Sequence, residues 1–168
     1  MNSLESEVSA LSTLADELLY LGIDDTPIYS DDFTRLNHEV FQKANALYHQ
    51  RGSTFEEEAS LCLALLKGYN ATIYNDGDKE ERIQTILNRC WEVLEHLSAS
   101  LLKVQLLTYC YGEVFEEELI REAYIIIESW NGKELSEEEQ GIIEYLKNLE
   151  EYPYPNWEEC NGVCNRTN

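Results

Sequence analysis

Basic residues are scarce in this sequence: twelve lysines and arginines stand against thirty-three aspartates and glutamates, for a formal net charge of −21 over 168 residues. A surface with that charge repels nucleic-acid phosphates and anionic lipid headgroups. Direct binding to DNA or RNA is therefore the function that the composition disfavours most. The acids either keep the protein dissolved or present a surface to a basic partner, and composition leaves both open.

Long apolar segments are missing as well. The longest run, residues 101–111, is interrupted by Lys103 and Gln105, whereas a membrane-spanning helix needs about 20 apolar residues. Residues 1–7 carry two acids and no base, unlike a secretory signal. The cysteines number five, an odd count that argues against a disulfide framework. We therefore expect a cytoplasmic protein that does not bind membranes.

Groups that carry chemistry are hard to find. The three histidines, His38, His49 and His96, lack the spacing of metal ligands, and there is no glycine-rich phosphate loop. Cys160 and Cys164 have a metal-ligand spacing without a second pair, so we expect free thiols on a tail. The sequence thus predicts no cofactor, no metal and no catalytic residue. A small enzyme that uses paired carboxylates stays open, because acids are so numerous.

What the sequence does contain is helix after helix. Apolar residues recur at spacings of three and four, and capping residues and glycines fall between the stretches. The predicted helices are about 3–21, 30–52, 54–74, 78–97, 98 or 100 to 112, 116–130 and 136–149. Ser30 is predicted to cap the second helix and Asp78 to begin the fourth, and capping boxes at Thr54 with Glu57 and at Ser136 with Glu139 begin the third and seventh. The predicted stops are Gly22, Gly52, Gly112 and Gly132.

The third predicted helix is apolar on nearly every side, so we place it at the centre of the domain, and the fifth is again apolar all round. A weak repeat at an offset of forty or thirty-nine residues pairs each with the helix that follows it. The repeated positions are Ser60, Leu61, Leu66, Tyr69, Arg82 and Trp91, matched by Ser100, Leu101, Leu106, Tyr109, Arg121 and Trp130.

The sequence therefore predicts an all-α fold, a single-domain bundle of about seven helices over residues 1–157. Stacked helical hairpins with tetratricopeptide-like packing are the variant that the repeat favours. Residues 152–157 read Tyr-Pro-Tyr-Pro-Asn-Trp and are predicted to be extended, because each proline disfavours a helical predecessor. Residues 158–168 are predicted to form a disordered tail.

Two segments combine aromatic rings with carboxylates or stiffness, as binding surfaces often do. One is the stretch 109–118 at a helix junction, and the other is the tail segment 152–157. The candidate partner-binding residues are Tyr109, Tyr111, Glu113, Glu116, Glu117, Tyr152, Tyr154 and Trp157.

The chain resembles the UpxZ family, the transcription antitermination antagonists of capsular polysaccharide loci. The resemblance covers about residues 4–157 and leaves out the tail from Cys160 to Asn168. It is carried by the strings SLCLALLKGYNATIY (60–74), DKEE (78–81), RCWEVL (89–94), ASLL (99–102), QLLTYCYGEVF (105–115), EEL (117–119) and YPYP (152–155).

This resemblance implies a protein that blocks NusG-like antiterminators encoded by non-cognate capsule loci, by masking the side that meets RNA polymerase or nucleic acid. It supplies no catalytic residues. A generic helical scaffold that binds peptides in a groove is the first alternative, and the paired-carboxylate enzyme is the second. The oligomeric state and the antiterminators recognised stay open.

Overall fold

The computed structural model describes residues 3–21, 30–73 and 77–151, and within those ranges it contains seven α-helices and no strand. The predicted all-α class is thus confirmed. The helices are α1 (Ser3–Leu19), α2 (Ser30–Tyr48), α3 (Phe55–Ala71), α4 (Lys79–His96), α5 (Leu101–Val114), α6 (Glu117–Glu128) and α7 (Glu137–Glu151). None of these described helices combines the length and hydrophobicity needed to cross a bilayer.

Contacts divide the helices into two compact units, α1–α4 and α5–α7. In the first unit α3 packs against α1, α2 and α4, so its apolar side chains are covered on several sides. The central position predicted for this helix is confirmed. Its buried residues are Glu58, Ala59, Leu61, Cys62, Leu63, Ala64, Leu65, Leu66, Gly68 and Tyr69.

In the second unit α5 packs against α6 and α7, which explains why it too is apolar on most sides. The predicted stop at Gly112 is wrong, because α5 continues to Val114. Gly112 instead faces α7, where a Cβ atom would lie 3.6 Å from Leu149 Cδ1. The left-handed residue that ends α5 is Phe115, with φ 54°, and its N–H donates to the Tyr111 carbonyl at 2.8 Å.

The two predicted capping boxes form to different degrees. At the start of α7 both halves are present: Ser136 Oγ accepts from the Glu139 N–H at 3.1 Å, and Glu139 Oε1 accepts from the Ser136 N–H at 2.9 Å. At the start of α3 Thr54 Oγ1 accepts from the Glu57 N–H at 3.0 Å. The Glu57 carboxylate, however, accepts from the N–H of Ser53 at 2.9 Å, one residue earlier than the motif prescribes.

The other predicted helix boundaries have different outcomes in the structure. Ser100, not Ser98, caps α5 through its side chain. Asp78 is the N-cap residue of α4, as predicted, but its side chain makes no capping hydrogen bond and instead accepts from Arg82 Nε at 3.0 Å. Gly132 has φ +86°, but it is not the stop of α6, because α6 ends four residues earlier at Glu128 and its C-cap is Ser129. The stop at Gly22, the Ser30 side chain and all of residues 152–168 lie outside the described residues.

Gly52 is not the stop of α2, which ends four residues earlier at Tyr48. It lies against the first turn of α3, where a Cβ atom would come within 2.6 Å of the Glu57 carbonyl carbon. Its N–H donates to Glu58 Oε1 at 2.8 Å. Glycine is required here because the loop and the helix backbone approach closely.

The sequence repeat does not align equivalent places in the two units. Ser60 lies inside α3, six residues after the Thr54 cap, whereas Ser100 is itself the cap of α5. Each member of the repeat does contain a pair of packed helices, α3 with α4 and α5 with α6.

Candidate functional site

The acidic residues predicted to bind a partner lie at the junction between α5 and α6. Glu116 and Glu117 are exposed and Glu113 is half-buried. Glu117 accepts from Arg121 Nη2 at 3.1 Å, an i,i+4 pair of exposed side chains. We call Glu113, Glu116 and Glu117 the acidic junction. An exposed pair of this kind contributes only about 0.3–0.5 kcal/mol to stability, so its carboxylate is available to a partner.

The aromatic residues predicted with these acids are less accessible. Tyr111 is buried and its ring lies 5.2 Å from that of Phe115, so we assign it to the core and drop it from the candidate surface. Tyr109 is half-buried, with its ring centroid 5.0 Å from that of Tyr145 on α7. The junction therefore offers carboxylates with little aromatic surface.

The described part of the second unit is acidic throughout. Residues 99–151 contain thirteen acids and four bases, a formal net charge of −9. Three of the four bases form ion pairs within the unit: Lys103 with Glu122 at 3.0 Å, Arg121 with Glu117 at 3.1 Å and Lys133 with Glu139 at 2.6 Å. The remaining acids give this unit a negative surface with few positive charges to offset it.

An apolar side chain stands within this acidic surface. Ile125 on α6 is 69% exposed, and its helical neighbours at i−4 and i+3 are Arg121 and Glu128, both exposed as well. Exposed apolar side chains contribute to binding when a partner removes them from water. The sequence analysis did not select Ile125, because Ile125, Ile126 and Ile127 form one apolar string in which periodicity does not identify the outward member.

The first unit contains a buried ion pair that the sequence analysis did not predict. Arg89 on α4 donates through Nε and Nη2 to the two carboxylate oxygens of Glu58 at 2.8 and 2.9 Å. Its remaining contacts are to the carbonyls of Tyr48 at 3.1 Å and Gln50 at 2.8 Å. A sequence signal did exist, since Arg89 stands among the apolar residues of its helix next to Cys90.

The electrostatics around Glu58 favour its ionised form. Burial alone would raise the pKa of Glu58, but the hydrogen bonds from Arg89 and the Gly52 N–H, with the charges of Arg89 and Arg51, outweigh burial and hold this pKa below its ordinary value. Glu139 also has a lowered pKa, through its hydrogen bonds from Lys133 and Ser136. Both shifts oppose the raised pKa that a paired-carboxylate general acid needs.

The described thiols give no sign of reactivity. Cys62, Cys90 and Cys110 are buried and form no disulfide. The contact with Cys90, together with burial, raises the pKa of the Cys62 thiol, so that it stays protonated and is a poor nucleophile. Within the described ranges no three histidine, cysteine or acidic side chains come together as metal ligands would. Cys160 and Cys164 lie outside those ranges.

Comparison with known proteins decides the family. The model of the UpxZ family of transcription anti-terminator antagonists matches residues 8–112. The chain belongs to the UpxZ family. A crystal structure of a transcription anti-terminator antagonist UpxZ from Bacteroides uniformis is 51% identical, with a TM-score of 0.84 over 94% of this chain and 98% of that one. Proteins of curated function yielded no significant match.

Membership of the UpxZ family confirms the resemblance that the sequence strings indicated. The general role of this family is antagonism of transcription anti-terminators. A family with this role implies a regulator with protein partners. Family membership assigns no residue to binding. Of the predicted partner-binding residues, Tyr152, Tyr154 and Trp157 lie outside the described residues, and the acidic junction stays a prediction.

Proposed function

We propose that this UpxZ-family chain antagonises NusG-like antiterminators of non-cognate capsular polysaccharide loci by masking their polymerase-facing or nucleic-acid-facing surface. In this proposal it is a cytoplasmic, non-enzymatic regulator that binds protein and not nucleic acid. The observation that supports it is charge: a net −21 for the chain, and −9 for residues 99–151. A factor that contacts nucleic acid and polymerase presents positive charge, which an acidic surface attracts and covers.

The acidic junction is the part of this surface that we assign to the partner. Glu116 and Glu117 are exposed at the start of α6, and Ile125 adds exposed apolar area on the same helix. Charge at such a surface speeds association and selects partners, whereas buried apolar contacts slow dissociation.

The direct test measures binding of purified NusG-like antiterminators, cognate and non-cognate, by calorimetry at increasing salt. We expect complexes with non-cognate antiterminators whose affinity falls as salt rises, because salt screens exposed charges. Replacing Glu116→Gln and Glu117→Gln together should weaken binding roughly 2- to 30-fold, at about 0.2–1 kcal/mol for each exposed ion pair lost.

A matched control is the variant Glu5→Gln with Glu17→Gln. It changes the net charge equally, but on exposed positions of α1. If both double variants weaken binding to the same degree, overall charge and not the acidic junction is responsible. If no NusG-like factor binds at any salt concentration, the proposed partner is wrong.

A separate measurement tests whether the antiterminator surface is masked. The antiterminator should lose its binding to RNA polymerase or to leader RNA when the UpxZ-family protein is added in excess. A ternary complex would contradict masking even if binding itself is confirmed. Binding that salt does not weaken would favour the alternative of a helical scaffold with an apolar groove.

A further inference from the structure

The first unit contains a cleft that the proposed function does not use. It lies where the α2–α3 loop meets α4, encloses about 280 Å³ and opens to solvent. We call it the α3 cleft, and its lining residues are Arg51, Gly52, Ser53, Thr54, Phe55, Glu58, Arg89, Glu92 and Val93. This volume is just below the range of about 300–1,000 Å³ in which small-molecule sites fall, so it suits a single long side chain.

The floor of the cleft consists of charged side chains that hydrogen-bond to one another. Arg89 and Glu58 satisfy each other at 2.8 and 2.9 Å, and Gly52 holds the loop to the same carboxylate at 2.8 Å. Arg51 is 64% exposed and is directed to Glu58 at 3.3 Å. Side chains fixed by several hydrogen bonds give a preformed pocket, which lowers the entropic cost of binding.

An aromatic platform borders this floor. The ring of Phe55 is stacked on the imidazole of His96, with centroids 4.4 Å apart and planes 12° from parallel. Phe55 nevertheless remains 45% exposed. A large apolar side chain held in place by stacking yet open to water is typical of an interaction hot spot.

One wall of the cleft is a carboxylate. Glu92 is exposed and stands four residues before His96 on α4, so both side chains project from the same face of the helix. In the described part of the chain no ion pair of Glu92 is recorded. Arg51, Arg89 and Glu58 together leave one excess positive charge, which Glu92 balances on the opposite wall. Glu95 and Glu56 lie nearby in sequence, both exposed, and make the surroundings of Phe55 negative.

We propose that the α3 cleft receives an arginine side chain of a protein partner. The guanidinium stacks against Phe55 while its N–H groups donate to the Glu92 carboxylate. A planar cation fits this combination better than the compact ammonium of lysine, because only the guanidinium stacks and forms a forked hydrogen bond. The antagonist role does not depend on this site, and either can fail without the other.

The test uses the full chain and follows backbone amides by NMR at pH about 7.5 in low salt, where exposed charges are screened least. The probe is a capped Leu-Arg-Leu tripeptide at roughly 10 mM, a concentration suited to a weak single-residue ligand. We expect saturable shifts at Phe55, Val93 and His96. A tripeptide with citrulline in place of arginine has nearly the same shape without the charge and should produce much smaller shifts.

Two variants localise the binding. Phe55→Leu keeps an apolar side chain without the aromatic face, and Glu92→Gln removes the charge, so each should weaken binding roughly 2- to 5-fold, as expected for losing about 0.5–1 kcal/mol. Both positions are exposed, and circular dichroism verifies that each variant is folded. Ile73→Ala changes an exposed apolar residue away from the cleft and should leave binding unchanged.

Several results would overturn the proposal. These are equal shifts with the citrulline peptide, shifts spread over the acidic residues of the whole chain, or full affinity in the Phe55→Leu variant. A Leu-Glu-Leu peptide that binds the cleft while Leu-Arg-Leu does not would show that Arg51 selects an anion instead. The absence of any saturable shift would likewise reject the arginine site.

Discussion

At the scale of single residues, Arg89 is a residue on which the stability of the fold depends. Its side chain is 5% exposed and donates hydrogen bonds to both carboxylate oxygens of Glu58. It also donates to the carbonyl of Tyr48, the last residue of α2, and to the carbonyl of Gln50 in the loop that follows. Removing one partner of a buried pair leaves the other charge in a poorly solvated place. The same interaction also shapes the floor of the α3 cleft, so stability and the proposed arginine site share one residue pair.

We therefore expect Arg89→Met to lower the free energy of unfolding by about 3–5 kcal/mol, measured by urea denaturation. Arg51→Ala is the control, since Arg51 contacts the same carboxylate but is 64% exposed and should cost no more than about 1 kcal/mol. Combining Arg89→Met with Glu58→Leu should recover part of the loss. Equal costs for the two arginine variants would contradict the role of burial.

At the scale of helices, local signals predicted where most elements begin. Thr54 and Ser136 were predicted as caps, and Ser100 as one of two alternatives with Ser98. In each case a side-chain oxygen satisfies an N–H in the first turn that lacks a helical partner. The ends were harder. Gly52 and Gly112 have the residue type of a stop, but Gly52 contacts the α3 backbone and Gly112 faces Leu149. Helix periodicity alone predicts neither contact.

The complete capping box of α7 yields a prediction at this scale. Ser136→Ala should lower the free energy of unfolding by about 1 kcal/mol and increase amide hydrogen exchange in the first turn of α7. Adding Glu139→Gln should cost less than the sum of the single changes, because the two side chains act in one motif. Glu137→Gln, an exposed acid in the same turn, is the control for charge alone.

At the scale of the whole molecule, the dominant feature is self-repulsion among the acids. A net charge of −21 destabilises a compact chain, and added salt screens the repulsion. Raising ionic strength from about 0.01 M to about 0.1 M shortens the Debye length from about 30 to about 10 Å. The thermal unfolding midpoint should rise over this range.

The control for this prediction is the Glu5→Gln and Glu17→Gln variant, which carries less negative charge and should show a smaller rise. Calorimetry at the two ionic strengths measures both proteins. A midpoint that falls with salt would mean that the ion pairs, such as Lys67 with Asp16 at 3.1 Å, outweigh the repulsion.

The sequence by itself determined the helical class, the approximate number of helices, the caps at Thr54 and Ser136 and the acidic character, because each depends on residues close together in the chain or on composition alone. The strings of the family resemblance are local too. Only the tertiary structure decided that Glu58 meets Arg89 thirty-one residues later and that Phe55 stacks on His96. Periodicity assigns a side chain to one face of its helix, but which side chain of another helix it meets depends on how the helices pack, and the α3 cleft exists only as a result of that packing.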